Sequence, residues 1–168
     1  MSLQFLLDGY NIITRIRGLS QETLEDQRKF LVRLVAVNRP QGSVKNTVTI
    51  VFDGKCGIIG TSDAAHVKVI FSRGQSADDT IKKIVGQAAH KKNIIVVTDD
   101  RDIQYAVRAM GAKIMSAQEF LTKSKTAGQS RLSSPTAVHG REAGKNIPRT
   151  VEFKITSEFE KIWLRDKP

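Results

Sequence analysis

The sequence predicts a three-layer α/β/α sandwich on a mostly parallel sheet, followed by a basic C-terminal extension. Two observations carry that expectation. Across residues 1–121, short β-branched apolar runs alternate with longer amphipathic stretches, with Gly or Ser between them. Strands joined by helical crossovers must run parallel. The chain also has 168 residues, of which 40% are hydrophobic, enough for one domain with a proper core, since a domain of roughly 150 residues buries about two thirds of its unfolded surface.

Taken in order, the apolar runs at 3–7, 48–52, 67–71, 93–97 and 112–115 have the composition of buried parallel strands. A helix is expected over 21–37, where Leu24, Leu31, Leu34 and Val35 share a face and Glu22, Glu25 and Asp26 sit at the end that favours negative charge. Ile81, Ile84, Val85 and Ala88 form the stripe of a second helix. Ile103, Val107 and Met110 mark a third, which stops at Gly111. A last short helix opens at Ser116. Beyond Leu121 the apolar period fails, and 122–168 reads as a basic, partly flexible extension. Within it, 151–155 could form a short strand and 157–164 a helical turn presenting Phe159, Ile162 and Trp163. The expected division is therefore 1–121 and 122–168.

Composition excludes several classes. No run approaches the ~20 apolar residues of a membrane span, and the first residues, MSLQFLLDGYN, meet an acid too early for a signal peptide. A cytoplasmic protein is expected. The single Cys56 allows no internal disulfide, and no Cys/His spacing suggests zinc. The net charge of +10 favours a polyanionic partner, nucleic acid or ribosome before an anionic membrane. That charge is shared: 1–121 holds 17 basic and 12 acidic residues, and 122–168 holds 10 and 5.

In an open parallel sheet, ligands bind beyond the carboxyl ends of the strands. The residues expected there are mostly aspartates. Asp8 closes the first run, Asp53 the second, and Asp99 and Asp100 the fourth, while Ser76-Ala77-Asp78-Asp79 opens a helix on the same edge. Crowded carboxylates repel one another and raise each other's pKa, which a divalent cation relieves. An all-oxygen set suits Mg²⁺ or Mn²⁺, and such a cluster supports metal-assisted attack of water on a phosphodiester. Structural roles compete at each position. Ser76-x-x-Asp79 has the form of a capping box, and Asp78 could complement a helix dipole. Asp99 or Asp100 could cap the following helix, Asp53-Gly54 is a common turn pair, and Asp102 reads as a solvated first-turn residue. After Asp8 no helical pattern starts at once, and Gly9 allows another group close approach.

The motifs Phe5-Leu-Leu-Asp8-Gly9-Tyr10-Asn11-Ile12-Ile13, Val51-Phe52-Asp53-Gly54, Ser76-Ala77-Asp78-Asp79-x-Ile81, Val96-Val97-Thr98-Asp99-Asp100-x-x-x-Gln104 with Gly111-Ala112, and Ser116-x-x-Glu119-Phe120 occur in this order. Together, over residues 3–121, they resemble the YacP-like branch of NYN domains, which are PIN-like nucleases. The resemblance implies an α/β fold whose aspartates bind Mg²⁺ or Mn²⁺ for RNA cleavage, some bacterial members acting on mRNA engaged with ribosomes. Carried over by position, Asp8, Asp78 and Asp100 are the principal carboxylates and Asn11 is the asparagine of the DGYN signature. Asp99 stands where the family commonly has a hydroxyl residue, and Asp100 is preferred over it as the metal-facing member. RNA as substrate comes from this resemblance; the basic charge only agrees with it.

The expected function is thus a metal-dependent endoribonuclease acting on mRNA or rRNA. Asp8, Asp78 and Asp100 hold Mg²⁺ or Mn²⁺, Asp79, Asp99 and Asp53 assist, and Asn11 orients Asp8 or a water. Phosphates need cations away from the metal; Arg15, Arg17, Lys55, Arg73 and Arg101 follow strands on the proposed rim, with Arg73 and Lys55 best placed. Tyr10 could stack on a base, although packing beside the first strand suits it better. His66, His90 and His139 are too scattered to serve as a general base. The alternative is a non-catalytic RNA-binding or ribosome-associated adaptor that contacts its partner through 122–168. An aspartate-nucleophile phosphatase would want a second Asp where Tyr10 stands, and a dinucleotide-binding domain would want G-x-G-x-x-G after the first strand.

Overall fold

The computed structural model describes residues 2–54, 67–72 and 74–132, the last six of these by backbone alone. Cys56, His66, His139 and the strand and helical turn expected at 151–155 and 157–164 lie outside the described residues. The elements are β1 (Gln4–Asp8), α1 (Gly9–Ile13), α2 (Leu24–Asn38), β2 (Thr47–Phe52), β3 (Val67–Phe71), α3 (Ala77–Gln87), β4 (Ile94–Val97), α4 (Arg101–Ala109), β5 (Lys113–Met115) and α5 (Ala117–Leu132).

The strands form one five-stranded sheet in the order β3-β2-β1-β4-β5. Every pairing is parallel, with Leu6 opposite both Thr49 and Val96. The fold is therefore an α/β sandwich, as the alternation of runs and stripes predicts. Because side chains alternate across a strand, each sheet face has its own core. Leu6, Val51, Ile94 and Val96 pack with Ala77, Ile81 and Val85 of α3 and Ile103 and Val107 of α4. On the other face α1, α2 and α5 pack together, and the ring of Phe5 lies 6.3 Å from that of Phe120.

The helix starts follow from their caps. Thr23 accepts from the Asp26 amide and opens α2, leaving Gln21 in a preceding 3₁₀ turn rather than in the helix as expected. Leu24, expected on the buried stripe, is 58% exposed. A helical side chain covers the turn before its own Cα, and the first residue of α2 has no such turn. Met110, expected on the stripe of α4, is the C-cap of that helix and is also exposed.

The helix opening at Ser116 is not short. It continues to Leu132, and the compact unit that contains it is Met1–Ser133. The helix therefore runs past Leu121, where the apolar period of the sequence ends. Past that residue the helix has no apolar stripe to announce it, but Ser124 is buried and its hydroxyl accepts from Asn38 Nδ2 at 3.1 Å. Thr122 and Thr126 bond the carbonyls four residues back, which satisfies their hydroxyls inside the helix. Among the described residues no helix is long and apolar enough to cross a membrane.

Candidate active site

All five carboxyl ends open on one edge, and the strand order reverses direction between β1 and β4. The crevice outside such a switch point is where open α/β sheets bind ligands. Asp8 is the last residue of β1, and Thr98, Asp99 and Asp100 follow β4 directly beside it. On the same side α3 packs against α4, so Asp78 in the first turn of α3 and Asp100 at the start of α4 approach one another.

Asp8 is 8% exposed. Contrary to the sequence reading, a helix does begin at once after it: Asp8 is the N-cap of α1, accepting from the Asn11 amide at 3.2 Å. Five residues are too few to show a helical period. The other carboxylate oxygen accepts from the Thr98 hydroxyl at 3.3 Å. Burial raises the pKa of Asp8; those two hydrogen bonds hold it down, and the charges of Asp78 and Asp100 push it further up. The Asp78 carboxyl is raised as well, first by burial and then by Asp100, with Lys82 opposing and Asp79 and Asp102 adding to the rise. Three segments thus deliver Asp8, Asp78 and Asp100 to one electrostatically coupled group.

The remaining expected residues separate by their partners. Asp100 also caps α4, accepting from the amides of Asp102 at 2.8 Å and Ile103 at 3.2 Å, while its own amide donates to the Thr98 hydroxyl. Asp99 turns elsewhere: its carboxylate accepts from the Ala117 amide at the start of α5 and pairs with Arg15 Nε at 2.8 Å. Asn11 spans the crevice, since its amide donates to Asp8 and its side-chain oxygen accepts from the Asp99 amide at 2.9 Å. Asp79 is exposed and its amide donates to Ser76, so the serine half of the capping box is present. Asp53 is exposed at the end of β2 in a turn with Gly54 at φ +102°, and Ser72 donates to it at 2.8 Å. Arg17 and Arg101 are exposed. Lys55 and Arg73 lie outside the described residues.

A hard cation suits this donor set, which is all oxygen and which burial and mutual repulsion leave short of positive charge. Asp8, Asp78 and Asp100 could hold it. Among the described residues, however, no three Asp, Glu, His or Cys side chains already form a ligand cage. The fit is one of charge and donor type, without a closed coordination shell.

Two contributors were missed from sequence. Thr98 is fully buried and ties Asp8 to Asp100; a hydroxyl between an apolar strand and an acidic pair was the available signal. Arg28, on α2, sits within cation–π distance of the Tyr10, Phe52 and Phe71 rings, and nothing in its surroundings in the sequence marks it. Tyr10 accordingly packs, edge-on to Phe52 with centroids 5.4 Å apart. Gly9 makes this possible, because a methyl group there would overlap the Phe52 ring. Gly9→Ala should therefore cost about 1–3 kcal/mol through overpacking. The check is the urea midpoint, and an unchanged midpoint would show that Phe52 moves aside freely.

A family model described as "YacP-like NYN domain" matches residues 5–163. The structure is similar to crystal structures of Rae1 (YacP) from Bacillus subtilis. Against the W164L mutant the identity is 28%, with a TM-score of 0.62 over 96% of this chain and 90% of the other. Against a second Rae1 structure the identity is 26%, with a TM-score of 0.62 over 98% and 88%. No curated protein sequence matches the chain.

Proposed function

The chain belongs to the YacP-like NYN domain family, and from that premise we propose that it is a metal-dependent endoribonuclease hydrolysing RNA phosphodiester bonds in mRNA or ribosome-associated RNA. Membership supports a nuclease-type, RNA-related function. The observation that carries the finer reading is the mutual coupling of Asp8, Asp78 and Asp100 at the switch point of the sheet. These three would hold Mg²⁺ or Mn²⁺, with Asp79 and Asp53 on the exposed flanks. When bound, such an ion neutralises the phosphate, makes a water more acidic and stabilises the leaving oxygen.

The chain's own residues set the stage for this. Thr98 and the Asn11 amide each fix one oxygen of Asp8, so its carboxylate is oriented before any ligand arrives. Asn11 holds the loop after β4 against α1, which keeps Asp100 in register with Asp8. Pairing with Arg15 removes the Asp99 charge from the repulsion among the other three. Arg17 and Arg101 are both exposed, and either could meet RNA phosphates as substrate approaches.

Among the described residues no three Asp, Glu, His or Cys side chains already form a ligand cage, which favours a second reading, an RNA-binding or ribosome-associated adaptor that keeps the fold without turnover. One experiment separates the two. The protein is incubated with mRNA, structured RNA and ribosomes in Mg²⁺, Mn²⁺ or EDTA, and new RNA ends are mapped. Ends that appear only with a divalent ion support the nuclease; retained RNA with no new ends in either metal supports the adaptor.

A further inference from the structure

Arg28 has an environment unlike that of a solvated arginine. Its guanidinium carbon lies 5.4, 5.8 and 5.5 Å from the ring centroids of Tyr10, Phe52 and Phe71. Its Nε donates to the Tyr10 hydroxyl at 2.8 Å, and Nη2 donates to the same oxygen. Among the described residues it makes no ion pair with a carboxylate. A guanidinium has five N–H donors, so three remain beyond the two that Tyr10 takes.

Position makes this cation more than packing. Phe52 ends β2, Phe71 ends β3, and Tyr10 stands two residues past Asp8. The cluster therefore occupies the same carboxyl edge as the acidic group, on the β2–β3 side of Asp8, whereas Asp100 lies on the β4 side. Two hydrogen bonds to one hydroxyl and the neighbouring Phe52 and Phe71 rings restrict the orientation of the guanidinium, and its remaining N–H groups are of the kind that bind phosphate. Among the described residues its polar partner is the phenol of Tyr10 and not a carboxylate.

We propose that Arg28 binds a backbone phosphate of the RNA next to the one cleaved, presented by the Tyr10–Phe52–Phe71 cluster as a pre-oriented cation. This inference rests on the RNA reading above and names the group that holds the strand on the far side of Asp8. The test uses the full chain in EDTA and a labelled single-stranded RNA oligonucleotide, titrated over a series of KCl concentrations. Arg28→Gln should weaken binding about tenfold, the worth of one charge-assisted contact, and reduce the slope of log affinity against log salt by about 0.7, one phosphate contact on a single strand. Arg28→Lys keeps the charge and should keep the slope while losing part of the affinity. Tyr10→Phe removes the acceptor that orients the fork and should weaken binding with the slope unchanged.

A structural role alone would lower the Tm of the Gln and Lys variants alike and leave the Gln slope at the wild-type value; that result overturns the inference. So does a Tyr10→Phe protein with wild-type affinity at every salt concentration. Cleavage by the wild type together with an unchanged Gln slope overturns Arg28 and leaves the nuclease standing. RNA binding with the expected slope change but no cleavage in Mg²⁺ or Mn²⁺ does the reverse. A wild-type protein that binds no RNA overturns both.

Discussion

Asp8→Asn is expected to lower RNA cleavage by about a thousandfold or more and, in the same protein, to raise the Tm measured in EDTA near neutral pH. The first effect follows from removing a charged oxygen from the group that would hold the ion. The second follows from what that charge does when no ion is bound. Burial, with the charges of Asp78 and Asp100, lifts the Asp8 pKa above its ordinary 3.8. An acid whose pKa is higher folded than unfolded binds its proton more tightly in the folded state, so its ionised form opposes folding. That opposition is complete above the folded pKa and vanishes below the unfolded one. Asparagine keeps an oxygen for the Asn11 amide and is as good an N-cap as aspartate, so the helix start survives the change. The stability advantage of the variant should be widest at neutral pH and fade on acidification toward 3.8. Mn²⁺ should then raise the Tm of the wild type and have little effect on the variant, because only the wild type binds it well. Equal melting temperatures in EDTA at neutral pH, or wild-type cleavage by the variant, would remove Asp8 from its assigned place.

The second large effect is expected at Asp100, where a pair of substitutions separates two roles carried by one side chain. Asp100 caps α4 through the Asp102 and Ile103 amides and also charges the crevice beside Asp8 and Asp78. Asp100→Asn preserves the cap and removes the charge. Asp100→Ala removes both, at about 1 kcal/mol of stability for the lost cap. Both should lower cleavage by a hundredfold to a thousandfold, and only the alanine variant should unfold at lower urea. If the asparagine variant cleaves like the wild type, Asp100 is a cap and nothing more.

How much of this was legible in the sequence depends on the range of the interaction concerned. The strands were legible because a buried parallel strand must be apolar at nearly every position, as Phe5, Leu6 and Leu7 are. The aspartates stood out because each interrupts or follows such a run. The separate fates of Asp99 and Asp100 were not legible, since adjacent carboxylates look alike until the Ala117 amide and Arg15 claim one of them. Neither was α1, a five-residue helix with no room for a period, nor the second half of α5, where a buried Ser124 continues what an apolar stripe began. Arg28 was hidden for the same reason: its three aromatic partners come from separate segments of the chain, and none lies in its own helix.

The two hydrogen bonds that close the crevice join residues far apart along the chain, Asp8 to Thr98 across 90 positions and Asn11 to Asp99 across 88. Loop closure on that scale is entropically late and becomes favourable only once the intervening strands have paired. A nascent chain that has not yet emitted β4 carries Asp8 and Asp78 without Thr98, which fixes one oxygen of Asp8, and without Asp100, whose charge acts on both. The acidic group is therefore a product of the completed sheet, and activity should appear abruptly with the last long-range pairing instead of growing with chain length.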